Sequence, residues 1–157
     1  MDTSTCLNPP TLTPIVKVRQ VRWPADASAL ESIREQVFIK EQKVPPHIEW
    51  DGQEQDSQHF IAYYNGTPVG TARLVKHYKL TRMAVLKHYR NQGVGNALIK
   101  AVSRSAMHAG MSELTANAQI DALGFYLKHN FTVTGDSYYE ANILHKPISK
   151  PLGFSAP

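Results

Sequence analysis

The sequence predicts an α/β chain of the mixed α+β kind, organised on one sheet that is mostly antiparallel. Three observations predict it. Strand-like runs follow one another through mid-chain, with a hairpin signal at Asn65-Gly66 between two of them. Amphipathic helix stripes stand before, between and after these runs. A strand, a glycine-rich turn and a helix lie in immediate succession across residues 79–109.

The elements read in order as follows. Ile15 to Trp23 alternates Ile15, Lys17, Arg19 and Val21 with Val16, Val18 and Gln20, the two-face pattern of a first strand. Pro24 and Asp26 open a helix whose Leu30, Ile33, Val37 and Phe38 form one apolar stripe, and Val44-Pro45-Pro46 ends it. Residues 47–57 are the most acidic segment, a loop or short helix around Trp50. His59 to Tyr64 and Thr67 to His77 are strands joined by Asn65-Gly66, a pair suited to the positive φ angles of a type I′ turn. Lys79 to Leu86 is the next strand. From about Gly93, Val94, Ala97, Leu98, Ala101, Val102, Ser105, Ala106 and Ala109 share one helix face, and Gly110 stops it. Leu114 to Ala118 is a strand, Ile120 to His129 a helix closed by Asn130, and Phe131 to Thr134 and Tyr138 to Leu144 are the last two strands. That order is too antiparallel for a doubly wound fold.

Composition bounds the domain count and the class. With 157 residues, 42% hydrophobic and 19% charged, the chain fits one globular core. Residues 1–13 and 151–157, rich in Thr and Pro or punctuated by Pro, read as flexible tails around a single domain at 14–150. No apolar run approaches the ~18 residues of a membrane span, and Met1 to Pro14 lacks the pattern of a secretory signal. Cys6 is the only cysteine, so a cytoplasmic setting without disulfides is expected. The net charge of +4 is dispersed, with no basic run interleaved with aromatics, which argues against nucleic acid. His47, His77, His88, His108 and His129 show no metal-ligand spacing, and Ser103 and Ser105 lie outside any nucleophile elbow, so neither a metal nor covalent catalysis is expected.

The chemistry concentrates at Tyr89-Arg90-Asn91-Gln92-Gly93-Val94-Gly95-Asn96-Ala97. A helix start has N–H groups without partners, a positive dipole end and, here, glycines that let an anion approach the backbone. A phosphate-bearing ligand fits such a turn. Gly95 is followed by Asn96-Ala97 rather than Lys-Ser/Thr, which excludes a P-loop. A dinucleotide fingerprint fails because Ala97 comes one residue early and Glu113 precedes the next strand instead of ending it.

The remaining pattern, Arg90-x-x-Gly93-x-Gly95 after the strand Arg82-Met83-Ala84-Val85 and before Asn117 and Phe125-Tyr126, resembles the GCN5-related N-acetyltransferase (GNAT) family. The segment Val37 to Pro45, with Glu49, Asp51, Asp56, His59, Ala118-Gln119 and Glu140 to His145, is similar to its ElaA-like branch. The resemblance implies the GNAT acyl-CoA N-acyltransferase fold, with about six to seven strands and about four flanking helices. It implies acetyl-CoA as co-substrate, its pyrophosphate on Arg90, Asn91, Gln92, Gly93, Val94, Gly95 and Asn96, and its pantetheine arm paired with the backbone of Met83, Ala84 and Val85. It further implies Tyr126 as the acid that protonates the departing thiolate, and Asn117 as a residue that bonds the cofactor or orients a water. Asn130 stands where the family usually writes Gly before the aromatic of the next strand. For the base that takes the amine's proton, Glu49 and Asp51 in the acidic segment and Glu140 and His145 near the end are candidates, with Glu49 preferred. The acidic segment suggests a cationic small amine as acceptor. A protein N-terminus or lysine as acceptor, or a non-catalytic acyl-CoA sensor, are the competing readings, and a homodimer is common among relatives.

Overall fold

A computed structural model describes residues 13–153. Its strands are β1 (Val16–Val21), β2 (Gln58–Tyr64), β3 (Thr67–Val75), β4 (Lys79–Val85), β5 (Glu113–Gln119), β6 (Thr132–Val133), β7 (Tyr138–Glu140) and β8 (Ile143–Pro151). The α-helices are α1 (Ala27–Arg34), α2 (Pro46–Glu49), α3 (Val94–His108) and α4 (Leu123–Lys128). All strands join one sheet in the order β1-β2-β3-β4-β5-β8-β6, with β7 also paired to β8. Every pairing is antiparallel except β4 with β5.

The hairpin forms where the sequence places it. Asn65 and Gly66 have φ of 47° and 86°, the two left-handed residues that a type I′ turn demands. Asn65 also ties the hairpin to the start of β1, its Oδ1 accepting from Ile15 N at 2.9 Å and its own N–H donating to Ile15 O at 2.8 Å.

The apolar stripe of α3, Val94, Leu98, Ile99, Val102 and Ala106, packs on Phe60, Ala62, Ala72, Leu74, Leu80 and Leu114 of the sheet. Gly70 makes that approach possible. A Cβ there would lie 3.1 Å from Val94 Cγ1 and 3.2 Å from Leu98 Cδ1. On the opposite face Ile33, Val37, Phe38 and Val44 pack with Ala84.

A bulge in β4 explains why Leu80 and Ala84, four residues apart, serve opposite faces. Arg82 has φ of 50°, and the β3–β4 register shifts between Thr71↔Ala84 and Arg73↔Thr81. One inserted residue inverts the alternation of side chains beyond it.

Two stretches differ from expectation. The first helix is not α-helical throughout: α1 passes into a π-helical stretch, Glu35–Glu41, with Gln42 N donating to Val37 O five residues back. The strand expected at Tyr138 to Leu144 is in fact β7, a turn at Ala141 and Asn142 with φ of 51° and 62°, and the start of β8. β8 then continues to Pro151, and Leu152 N donates to Ser112 O, so the sheet enters the segment read as a tail at 151–157. Pro147 concealed this strand. In a strand the N–H and C=O of one residue point the same way, and Pro147 O accepts from Thr134 N. The missing N–H therefore faces the side where β6 gives out, and no bond to β5 is lost. Residues 1–12 and 154–157 of the two predicted tails lie outside the described residues. Among the described residues no helix is long and apolar enough to cross a membrane.

Candidate active site

The parallel pairing of β4 and β5 is confined to Lys79↔Thr115 and Leu80↔Ala116. Beyond Leu80 the strands part, leaving a sheet edge inside the sheet. A cleft of about 610 Å³ opens beside the splay, with Phe38, Val44, Ile48 and Met83 among its apolar lining and charged groups from α2, the loop after it, β3, β4 and β7. Met83 and Val85 also pack on the main core, so their side chains serve the interior while the backbone of β4 is left available.

The start of α3 stands at the same end of β4. Gly93 is its N-cap with φ of 88°, and no side chain caps the helix. Ala97 N donates to Gly93 O, and the N–H groups of Val94, Gly95 and Asn96 have no partner among the described residues. The two glycines have different reasons. Gly93 needs its left-handed backbone, with nothing within 4 Å of a Cβ placed there, whereas a Cβ on Gly95 would meet the Phe125 ring at 3.0 Å. Gly95 thus lets α4 close on α3. Asn91, also left-handed at φ 62°, and Gln92 are exposed in the turn, and Gln92 Nε2 donates to His88 O at 2.9 Å.

Arg90 is engaged within the protein. Its two Nη atoms donate to Glu41 at 2.7 and 2.8 Å, and its Nε donates to Val85 O at 2.9 Å. That bidentate pair holds the Glu41 carboxyl below the usual carboxylate range. Arg90 therefore fastens the end of β4 to the π-helical stretch, with its charge balanced by Glu41.

Tyr126 is 8% exposed, its ring edge-on to Phe125 and Phe131 at centroid distances of 5.3 and 5.4 Å. Burial pushes its phenol up to about 12, so it stays protonated through the physiological range. Asn117 lies on the cleft face of β5. With its amide turned to suit its neighbours, its oxygen accepts from Lys79 Nζ at 2.7 Å and from Tyr138 Oη at 2.9 Å. Burial, aided by Glu140, raises the Tyr138 phenol.

The acidic segment does not offer free negative charge to the cleft. Arg34 Nε donates to Glu49 Oε1 at 2.7 Å and its Nη2 to Glu54 Oε1 at 3.2 Å. Arg73 grips Asp51 through both Nη atoms at 2.9 and 2.7 Å, and its Nε donates to Thr81. Arg82, turned by the bulge, lies 3.0 Å from Glu49 Oε2 and donates from Nη2 to Glu49 O at 3.0 Å and Asp51 Oδ2 at 3.2 Å. Three arginines neutralise three carboxylates and pin α2 and the following loop to β3 and β4. The acidity that predicted a cationic acceptor is thereby cancelled.

Glu49 is also poorly placed as the base. Only 2% exposed, it has both oxygens occupied by guanidinium groups. Burial raises its carboxyl, with Arg82 and Arg34 opposing, but a proton accepted there would unbalance the cluster. Asp51 is held far below the ordinary range by Arg73, the Gln53 N–H and Arg82, which outweigh its burial. His59, buried and stacked on Trp23, donates from Nε2 to Glu54 O at 2.7 Å and supports the same loop.

Sequence reasoning missed the roles of Arg34, Arg82, Lys79 and Tyr138. Their partners lie 15 to 33 residues away where both are in the arginine cluster, and no spacing rule connects them.

Residues 25–152 match the acetyltransferase (GNAT) domain family. The uncharacterized N-acetyltransferase YjcF of Bacillus subtilis is 39% identical over 122 residues, covering 75% of this chain and 87% of that protein. The crystal structure of Escherichia coli ElaA has the same fold, with a TM-score of 0.74 and 21% identity over 87% of this chain and 99% of that one. A GNAT family acetyltransferase from Elizabethkingia anophelis, solved with acetyl-CoA bound, aligns with a TM-score of 0.67 and 15% identity over 87% and 98% of the two chains.

Proposed function

The chain belongs to the GCN5-related N-acetyltransferase (GNAT) family and is an acetyl-CoA-dependent acetyltransferase, and we propose that it passes the acetyl group directly to the primary amine of a small acceptor held in the cleft. The parting of β4 from β5 beyond Leu80 carries this reading. An extended pantetheine arm can complete the edge of β4 at Met83, Ala84 and Val85 as an added strand would. The N–H groups of Val94, Gly95 and Asn96, with Asn91, Gln92 and Gly93 shaping the turn, then meet the pyrophosphate at the positive end of α3. Arg90, paired to Glu41 beside the turn, holds Val85 in place. The acetyl-CoA-bound relative of the same fold supports this co-substrate.

Within that arrangement the thioester carbonyl takes hydrogen bonds from backbone N–H groups near Val85, and the amine attacks its carbon. The C–N bond forms, the C–S bond breaks, and Tyr126 gives its proton to the CoA sulfur. Its burial keeps the phenol protonated at neutral pH. Asn117, braced by Lys79 and Tyr138, orients the amine or a water beside it.

The acceptor class follows from charge balance. Among the groups lining the cleft, Glu49, Asp51 and Glu140 are matched by Arg73, Arg82 and Lys79. A small amine with little charge beyond its amino group suits such a site better than a polycation. Release of CoA thiol from acetyl-CoA, followed over a panel of amines, tests this. Turnover with singly charged or neutral-bodied amines supports the reading; exclusive turnover of polyamines or of a protein lysine overturns it.

A further inference from the structure

We propose that His145 is the general base of the transfer, accepting the amine proton at Nε2; this rests on the reading of the cleft as the acceptor site. Four observations carry it. His145 lies on β8 opposite Gln119 of β5, two residues along from the Asn117↔Pro147 pair, so Asn117, Gln119 and His145 share one face of the sheet. That face lines the cleft, and His145 is among its residues. Its Nδ1 is 2.7 Å from Ile143 O, and a carbonyl only accepts, so the proton of the neutral ring sits on Nδ1. Nε2 is left as the lone-pair nitrogen. It has no hydrogen-bond partner among the described residues and is not among the buried atoms sealed without one.

The ring is also held still. It is 9% exposed and stacks on Tyr138 with centroids 5.8 Å apart at 20°. Tyr138 in turn bonds Asn117, which accepts from Lys79. Base and amine-orienting residue therefore belong to one braced patch. Of the competing carboxylates, Glu49 and Asp51 are locked to arginines, and Glu140 stands exposed at the end of β7 without such bracing among the described residues.

The step balances. As the amine nitrogen bonds to the acetyl carbon, its proton passes to Nε2; the C–S electrons go to sulfur, which takes the Tyr126 proton; imidazolium and phenolate are restored through solvent. The products are the acetamide and CoA thiol. The charged and titratable groups around His145 are Tyr138 and Glu140 of β7, Lys146 on β8 and Lys79 of β4. Glu49, Asp51, Arg73 and Arg82 line the rest of the cleft.

The test is His145→Gln, whose amide can still donate to Ile143 O, assayed with acetyl-CoA and an amine that wild type acetylates. A positioned base contributes about 10²–10⁴-fold. Expected is a loss of about 100-fold in kcat, KM for acetyl-CoA unchanged, and disappearance of the lower-pH limb of the kcat/KM profile. The rise due to the amine's own ionisation, at higher pH, persists in both proteins. Thermal stabilisation by acetyl-CoA reports folding and cofactor binding separately. A variant that still binds acetyl-CoA, and keeps the wild-type limb or loses under threefold in kcat, overturns the assignment. A variant too unstable to assay is replaced by His145→Asn, judged by the same limb. Failure of wild type to turn over any amine would instead strike the proposed function.

Discussion

Replacing Arg34 by Met isolates the electrostatic work of the buried cluster, because Met keeps an unbranched apolar stem near Trp50. Arg34 is 1% exposed. Its guanidinium donates to Glu49 Oε1, Glu49 O and Glu54 Oε1 at 2.7, 2.9 and 3.2 Å and lies 4.7 Å from the Trp50 ring centroid. Removing one partner of a buried ion pair costs about 3–5 kcal/mol, since the other charge stays buried without compensation. For a chain of this size that lowers Tm by roughly 10 °C. Urea unfolding is the suitable assay, because guanidinium salt would screen the interaction. Arg34→Met leaves two arginines to three carboxylates, and adding Glu49→Gln restores the balance, so the double variant should be more stable than Arg34→Met alone. The pH dependence has a definite sign. Burial already raises the Glu49 carboxyl and Arg34 opposes the rise; without Arg34 the folded-state value climbs further. A group raised on folding contributes stability below its unfolded pKa that is lost as pH rises through the folded one. The deficit of Arg34→Met should therefore be largest at neutral pH and shrink as pH falls toward the carboxylate range. A loss under about 1 kcal/mol, additive with Glu49→Gln, would refute the reasoning.

Tyr126→Phe should slow acetyl transfer while acetyl-CoA affinity holds, and an unchanged kcat would remove Tyr126 from the mechanism. The same variant changes alkaline stability. With the folded phenol near 12 and an unfolded value of 10.0, wild type loses up to about 3 kcal/mol as pH rises through that interval, and the Phe variant should lack this loss in urea titrations. Gly95→Ala gains about 1 kcal/mol of helix propensity but places a Cβ 3.0 Å from Phe125. The expected net is a destabilisation of about 1 kcal/mol. Gly93→Ala meets open space and costs about 1–2 kcal/mol through its backbone angle alone. A stabilised Gly95→Ala would show that α4 does not rest on that glycine.

The parts of this fold legible in the sequence are those set by neighbours along the chain. Asn65-Gly66 dictates its turn through its own φ angles, and the stripe from Val94 to Ala106 dictates the buried face of α3. The glycine turn at the start of α3 is legible because the left-handed Gly93 and the helix stripe after it need no distant partner. What stayed hidden depends on distant contacts. Pro147 reads as a strand breaker until the end of β6 is seen to leave its missing N–H unneeded. The bulge at Arg82 has no glycine to announce it and is stabilised by carbonyls and carboxylates of residues 48–51. Glu49 and Asp51 look like free acids in a polar loop, and only the fold brings Arg34, Arg73 and Arg82 to them. His145 and Asn117 become one patch only through the β5–β8 register.

The central claim is that acetyl-CoA occupies the gap between β4 and β5 with its phosphates on the start of α3. Amide hydrogen exchange with and without saturating acetyl-CoA tests it at the residues concerned. Slowed exchange at Met83–Val85 and at Val94–Asn96, with the β1–β2 edge unchanged, is the predicted result. Protection absent from both segments while the cofactor is bound would contradict it.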